Sequence, residues 1–175
     1  MLDTLITSKT RIKILLKFFL NGNTSSYLRN LESELEESTN SIRLELNKFE
    51  SAGLLNSSVS GNKKLFRANI KHPMFGDIQS ILRKYTGLDK ITEHVINKLG
   101  DVESVYLVGD LAKGIESPII DLVFVGEINM EYLLNLSKKA EKLVNKKIRF
   151  VTFSVEEFKT KKSQILDEPF IEIIN

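Results

Sequence analysis

Residues 105–126, VYLVGDLAKGIESPIIDLVFVG, decide how the second half of the chain folds. Two apolar runs, residues 105–108 and 119–125, flank a segment that contains Gly109 and Gly114. Short apolar runs bounded by glycine are typical of buried strands. The stretch therefore predicts two strands joined by a turn, in which glycine supplies the positive φ that a tight turn needs.

The remainder of the second half continues this pattern. Strands are predicted over residues 104–108, 119–125 and 147–153. Residues 130–144 carry apolar side chains at helical spacing, so a helix is expected between the second and third strands. A last helix is expected after Ser154, which has acidic residues in its first turn, and the apolar tail 168–175 is expected to dock. These elements form a small α/β layer.

The order strand, glycine turn, strand, helix, strand resembles the minimal nucleotidyltransferases of the DNA polymerase β-like class. The resemblance covers residues 103–175. It implies a triphosphate held by the glycine turn and Mg²⁺ ions held by an acidic pair and a third carboxylate. The positions that fit, and that would form a vestigial nucleotide site, are Gly109, Lys113, Gly114 and Asp121, with Asp110 beside them.

The same stretch departs from the family at the positions that matter for catalysis. Asp110 stands where the family has serine, and Ile119 stands where it has the first carboxylate of the pair. Mg²⁺ requires several oxygen ligands, and Ile119 supplies none. We therefore expect no catalytic residue, no metal site and no cofactor, and a nucleotidyltransferase-like domain without transfer activity. An enzyme that uses Asp110 and Asp121 is the competing hypothesis.

The first half contains three stretches with apolar residues at helical spacing. Helices are predicted over residues 9–20, over residues 27–35 and between Ser38 and Gly53. Lys17 falls with other lysines on the polar face of the first helix, and Ser25 and Ser26 are expected to cap the second. Two short strands, residues 54–58 and 63–69, are separated by turn-forming residues and predict a hairpin.

Helix, helix, turn, helix and hairpin is the order of a winged helix-turn-helix. Residues 38–69, STNSIRLELNKFESAGLLNSSVSGNKKLFRAN, resemble the recognition helix and wing of the ArsR-like repressors, and the resemblance spans residues 5–69. It implies a third helix in the major groove and a wing along the backbone. Base contacts are then expected for Thr39, Asn40, Ser41, Arg43 and Asn47, and phosphate contacts for Lys63, Lys64 and Arg67.

The metal-sensing role of some of these repressors is not carried over. The chain has no cysteine, and His72 and His94 have no partners at metal-ligand spacing. Four acidic residues near the recognition helix are expected to repel phosphates: Glu36, Glu37, Glu45 and Glu50. These acids keep a third hypothesis open, in which the winged helix serves as a protein-interaction module.

Residues 75–85 and 88–99 are two amphipathic stretches that connect the halves. The apolar face of the first suits dimerisation. A two-fold dimer would present two recognition helices to half-sites about one helical turn apart.

Composition sets the remaining limits. The chain has 175 residues, and no apolar run approaches the ~20 residues of a membrane span. The start has the wrong order for a secretory signal, so a cytoplasmic location is expected. Residues 1–85 carry 13 Lys and Arg against 8 Asp and Glu, whereas residues 86–175 carry 12 against 15. A basic first half suits a polyanion such as nucleic acid.

The sequence thus predicts an α+β protein. The expected parts are a winged helix in residues 1–70, connector helices in residues 71–100 and a nucleotidyltransferase-like domain in residues 101–175. The expected function is that of a homodimeric regulator that binds double-stranded DNA, in which the second domain serves dimerisation, sensing or partner contact. Neither an effector nor an operator can be named from the residues.

Overall fold

The computed structural model describes residues 2–174, and its fold is α+β with two separate sheets. The chain divides into two compact units. The first contains the residues up to Tyr85 together with Gly114–Glu116, and the second contains Thr86–Lys113 and the residues from Ser117 onward. No helix within residues 2–174 is long and apolar enough to cross a membrane.

The first unit is built on helices that follow the predicted apolar spacing. They are α1 (Leu2–Leu5), α2 (Lys9–Leu15), a π-helical turn (Leu16–Leu20), α3 (Leu28–Leu35), α4 (Thr39–Ser51) and α5 (Phe75–Thr86). Ser38 caps α4 by accepting a hydrogen bond from the backbone N–H of Ser41, as a serine before a helix is expected to do. Ile42, Leu46 and Phe49 are buried, which confirms the predicted core face of α4.

Lys17, which the spacing sets on a different face from the apolar residues of the first helix, is nevertheless buried. Both α2 and the π-helical turn are buried on nearly all sides, and the side chain of Lys17 is only 9% exposed. Its ammonium group lies 2.5 Å from a carboxylate oxygen of Glu34. A lysine is rarely buried without an acidic partner, and Glu34 supplies one from α3.

A three-stranded antiparallel sheet completes the first unit. Its strands are β1 (Ser25–Tyr27), β2 (Leu55–Ser60) and β3 (Lys63–Ala68), in the order β1-β3-β2. The predicted hairpin is therefore present. The expectation that Ser25 and Ser26 cap the second helix is wrong, because they lie in β1 opposite Arg67 and Phe66. The helix begins at Leu28 without a side-chain cap.

The second unit contains a four-stranded sheet in the order β6-β5-β4-β7. Its elements are α6 (Leu88–His94), a 3-10 turn (Ile96–Lys98), β4 (Val102–Val108), α7 (Gly109–Ala112), β5 (Ile119–Gly126), α8 (Met130–Val144), β6 (Lys147–Phe153), α9 (Val155–Ile165) and β7 (Ile171–Ile174). Strands β5 and β6 are parallel and the other pairs are antiparallel. The helix predicted over residues 88–99 ends at His94, where the backbone changes to the 3-10 turn.

Side chains alternate between the two faces of this sheet. Tyr106, Val123 and Val125 pack against Phe158 of α9 on one face, so Asp121, two residues before Val123, belongs to that same face. The predicted helix α8 has the expected bounds. The tail also docks as expected, since β7 pairs with β4; Asn175 lies outside the described residues.

Candidate functional site

A groove of about 680 Å³ lies between α3, α4 and the β2–β3 hairpin in the first unit. We refer to it as the basic groove. The residues that line it are Tyr27, Leu28, Arg29, Asn30, Glu32, Thr39, Arg43, Asn47, Asn62, Lys63, Lys64 and Phe66. Four of these side chains are cationic and one is acidic, so the groove is suited to an anionic ligand.

The basic groove brings together five of the eight residues that the sequence nominates for DNA. They are Thr39, Arg43, Asn47, Lys63 and Lys64. The first three lie on successive turns of α4, because residues three and four apart share one helix face. The two lysines extend from the hairpin. A helix face and a hairpin tip thus border one concave surface.

The other three nominated residues do not line the groove. Asn40 is exposed in the first turn of α4, outside the groove. The hydroxyl group of Ser41 lies 2.8 Å from that of Ser38 and belongs to the helix cap. Arg67 lines a separate concave surface together with Asn56 and Lys71.

Three of the four acidic residues near α4 are paired with cations. Glu37 accepts hydrogen bonds from Lys13 at 2.8 Å and from Thr10 at 3.0 Å. Glu45 is buried and accepts two bonds from Arg11, at 2.7 and 3.2 Å. The expectation that these two acids repel phosphates therefore fails, because their charge is compensated inside the unit.

Glu50, the third paired acid, also neutralises one of the nominated lysines. The ammonium group of Lys64 donates to Glu50 at 2.6 Å, and the hydroxyl group of Ser57 donates to the same carboxylate at 2.5 Å. The hydrogen bond from Lys64 is the main reason that the pKa of Glu50 is lowered. Glu50 is therefore ionised near neutral pH, and the Lys64–Glu50 pair carries no net charge.

In the second unit, Asp121 is engaged by an arginine. Arg149 of β6 lies opposite Asp121 of β5, and its guanidinium group donates to both carboxylate oxygens, at 2.6 and 3.0 Å. The hydrogen bond to Asp121 raises the pKa of Arg149, and the charge of Asp110 raises it further. The guanidinium group of Arg149 thus occupies both oxygens of Asp121, which a cation would need.

The other residues of the predicted nucleotide site do not all belong to one unit. Gly109 directly follows β4 and has a positive φ of 71°, which is the conformation expected of it. Lys113 pairs with Glu168 at 2.7 Å, and this hydrogen bond raises its pKa. Gly114 belongs to the first unit, whereas Gly109, Lys113 and Asp121 belong to the second.

These residues do not fit the Mg²⁺ ions that active nucleotidyltransferases require. Both oxygens of Asp121 are bonded to Arg149, and Ile119 has no oxygen in its side chain. Within residues 2–174, no group of three or more His, Cys, Asp and Glu is arranged to hold a metal ion.

The sequence interpretation missed Arg29, Asn30 and Asn62, which also line the basic groove. Arg29 is the second residue of α3. A cation in the first turn of a helix opposes the helix dipole, which favours acidic residues there. That unfavourable placement was the signal in the sequence that pointed to a role other than helix stability.

Replacing Gly109 by alanine is expected to destabilise the second unit by about 2 kcal/mol, since a side chain at positive φ is strained. The added Cβ would lie 2.6 Å from Oδ2 of Asp121 and would displace that carboxylate. Urea unfolding of the full chain measures the loss. Gly100→Ala is the matched control, because Gly100 has a φ of 75° and open space around it. Gly100→Ala should lose only the part that is due to positive φ, about 1 kcal/mol. Equal losses for the two variants would show that the contact between the added Cβ and Asp121 costs nothing.

Comparison with known proteins provides no family assignment. No protein-family model matches the sequence, and no curated protein matches it. AF1382 from Archaeoglobus fulgidus has 20% identity and a TM-score of 0.39, over 53% of this chain and 98% of its own. A proposed nucleotidyltransferase from Sulfolobus solfataricus has 19% identity and a TM-score of 0.35, over 54% of this chain and 83% of its own. At such TM-scores, function has to be argued from the residues themselves.

Proposed function

We propose that the protein is a DNA-binding regulator of transcription whose first unit acts as a winged helix-turn-helix. The observation that carries this proposal is the basic groove, in which Thr39, Arg43 and Asn47 of α4 lie beside Lys63 of the hairpin. Arginine and amide side chains on one helix face are suited to the donor and acceptor pattern of base edges. Lysines on a neighbouring hairpin are suited to phosphates.

The second unit has a different part in this proposal. Its strand and helix order is the one for which the sequence predicts a nucleotidyltransferase-like domain, and the pairing of Asp121 with Arg149 favours a domain without metal-dependent transfer. We propose that it serves dimerisation, sensing or partner contact, with the winged helix in residues 1–70, connectors in residues 71–100 and this domain in residues 101–175 of a homodimer.

Titration of the purified protein into fluorescent duplexes, followed by anisotropy, tests DNA binding. The probes are duplexes from upstream of its own gene and a scrambled duplex of equal length. We expect selective binding that weakens about 30- to 1,000-fold between 50 and 200 mM salt, as three to five neutralised phosphates require. Absence of binding at 50 mM salt would contradict the proposal, and a protein partner would then become the better hypothesis.

The competing hypothesis is a nucleotidyltransferase with an altered metal site. One observation favours it, namely that Gly109, which precedes Asp110, lies against the carboxylate of Asp121, since a Cβ there would be 2.6 Å from Oδ2. Incubation with each labelled nucleoside triphosphate plus Mg²⁺ or Mn²⁺ tests it. A labelled product that disappears in Asp121→Ala would support the enzyme. We expect no product, because the carboxylate of Asp121 is already bonded to Arg149.

A further inference from the structure

The four cations of the basic groove are not equivalent. Lys64 is held by Glu50 at 2.6 Å and is therefore neutralised. Arg29 and Arg43 are exposed, and neither forms an ion pair within the described part of the chain. Lys63 lies 5.8 Å from the ring centre of Tyr27 and forms no ion pair with any other residue that the structure describes. The positive charge available to a ligand thus comes from Arg29, Arg43 and Lys63.

These three cations lie on three different elements of the groove. Arg29 is in α3, Arg43 is in the middle of α4 and Lys63 begins β3. A cation on each border of a groove is the arrangement that attracts an extended anion rather than a single point charge. Arg43, which shares its helix face with Thr39 and Asn47, is the one placed to reach base edges.

We propose that Arg29 contacts a backbone phosphate of the bound duplex together with Lys63, and that Glu50 withholds Lys64 from the DNA. This inference rests on the proposed DNA-binding function and corrects the set of phosphate contacts that the sequence nominates. Arg29 enters that set and Lys64 leaves it. In this arrangement one DNA strand lies along the basic groove. Glu50 lowers the affinity of the groove for DNA because it neutralises Lys64.

The energetic consequence follows from counterion release. Each phosphate that a protein neutralises adds about 0.9 to the slope of log affinity against log salt. Loss of one contact therefore weakens binding about five- to tenfold at 0.1 M salt and lowers the slope by about one. Glu50→Gln removes the charge that holds Lys64, so binding should tighten by about the same factor and the slope should rise.

The test compares Arg29→Ala, Lys64→Ala and Glu50→Gln in the full-length protein, using one duplex that the wild type binds. Anisotropy titrations at 50, 100 and 200 mM salt give affinity and slope, and circular dichroism checks folding. Lys84→Ala is the control for loss of one positive charge, because Lys84 is exposed on α5 and does not line the groove. We expect Arg29→Ala to lower the affinity for the duplex about five- to tenfold, which corresponds to the loss of one phosphate contact. Lys64→Ala and Lys84→Ala should each change the affinity by less than about twofold.

The double variant separates a contact from an indirect effect. In the Glu50→Gln background, Lys64→Ala should now cost about as much as Arg29→Ala, since the released ammonium group becomes a phosphate contact. If the wild type binds DNA but Arg29→Ala leaves the affinity unchanged, or Lys64→Ala alone lowers it, this inference is overturned and the proposed function stands. A wild type that binds no duplex overturns both.

Discussion

Replacement of Glu45 by alanine is expected to lower the free energy of unfolding of the first unit by about 2–3 kcal/mol, which is less than the roughly 3–5 kcal/mol for breaking a fully buried pair. The side chain of Glu45 is 9% exposed, whereas that of Arg11 is 39% exposed and regains some hydration. Removal of the carboxylate leaves Arg11 without its two hydrogen bonds and also frees Lys48, which lies 3.1 Å away. Urea denaturation of the full chain measures the loss.

The same variant has a defined pH dependence. The hydrogen bond from Arg11 is the main reason that the pKa of Glu45 is lowered in the folded protein. A carboxyl group with a lowered folded pKa contributes stability above its unfolded pKa, about 4.3, and loses that contribution as the pH falls through the folded value. The difference between wild type and Glu45→Ala should therefore be complete at pH 7 and shrink below about pH 4.

Glu32→Ala provides the matched control for Glu45, since Glu32 is exposed on α3 and forms no ion pair within residues 2–174. It should change stability by less than about 0.5 kcal/mol at any pH. A loss for Glu45→Ala no larger than that of Glu32→Ala would mean that the Arg11–Glu45 pair does not fix α4 against α2.

Replacement of Arg43 by alanine is expected to weaken duplex binding about 10- to 100-fold and to relax sequence preference, as loss of a bidentate base contact does. Arg43 is exposed, lines the basic groove and has no ion-pair partner in the part of the chain that the structure describes. The measurement is a pair of affinities, for a preferred duplex and for the same duplex with a substituted base pair.

Arg43→Lys distinguishes base contact from charge alone. Lysine keeps the positive charge but cannot form the planar two-bond contact of the guanidinium group. The expected result is a salt slope close to that of the wild type together with a reduced preference between the two duplexes. If Arg43→Lys retained the full preference, Arg43 would be acting as a phosphate contact rather than as a base contact.

Local patterns in the sequence predicted the regular elements well. Helix α8 has the predicted bounds, and Ile42, Leu46 and Phe49 are buried as their spacing indicates. Strand β1 was missed because three residues carry too little pattern, and its pairing with β3 depends on residues about 40 positions away. The burial of Lys17 was missed for the same reason, since its partner Glu34 lies on another helix.

The ion pairs of the candidate site also could not be predicted from local sequence patterns. Composition gave the cations of the first half correctly, but not which of them are neutralised. Lys64 and Glu50 are 14 positions apart and meet only because β3 returns past the end of α4. The sequence pattern does not indicate Arg149 as a partner of Asp121, whereas the parallel pairing of β5 and β6 sets the two residues opposite each other. Ion pairs between elements require the tertiary register.

The most direct test of DNA recognition is selection from a library of random duplexes by the full-length wild type, with Arg43→Ala selected in parallel. We expect the wild type to enrich a defined sequence that Arg43→Ala fails to enrich. Two half-sites about one helical turn apart would further support a two-fold dimer. Failure to retain any duplex at 50 mM salt would contradict DNA binding. Retention of duplexes without enrichment of any sequence would contradict sequence recognition.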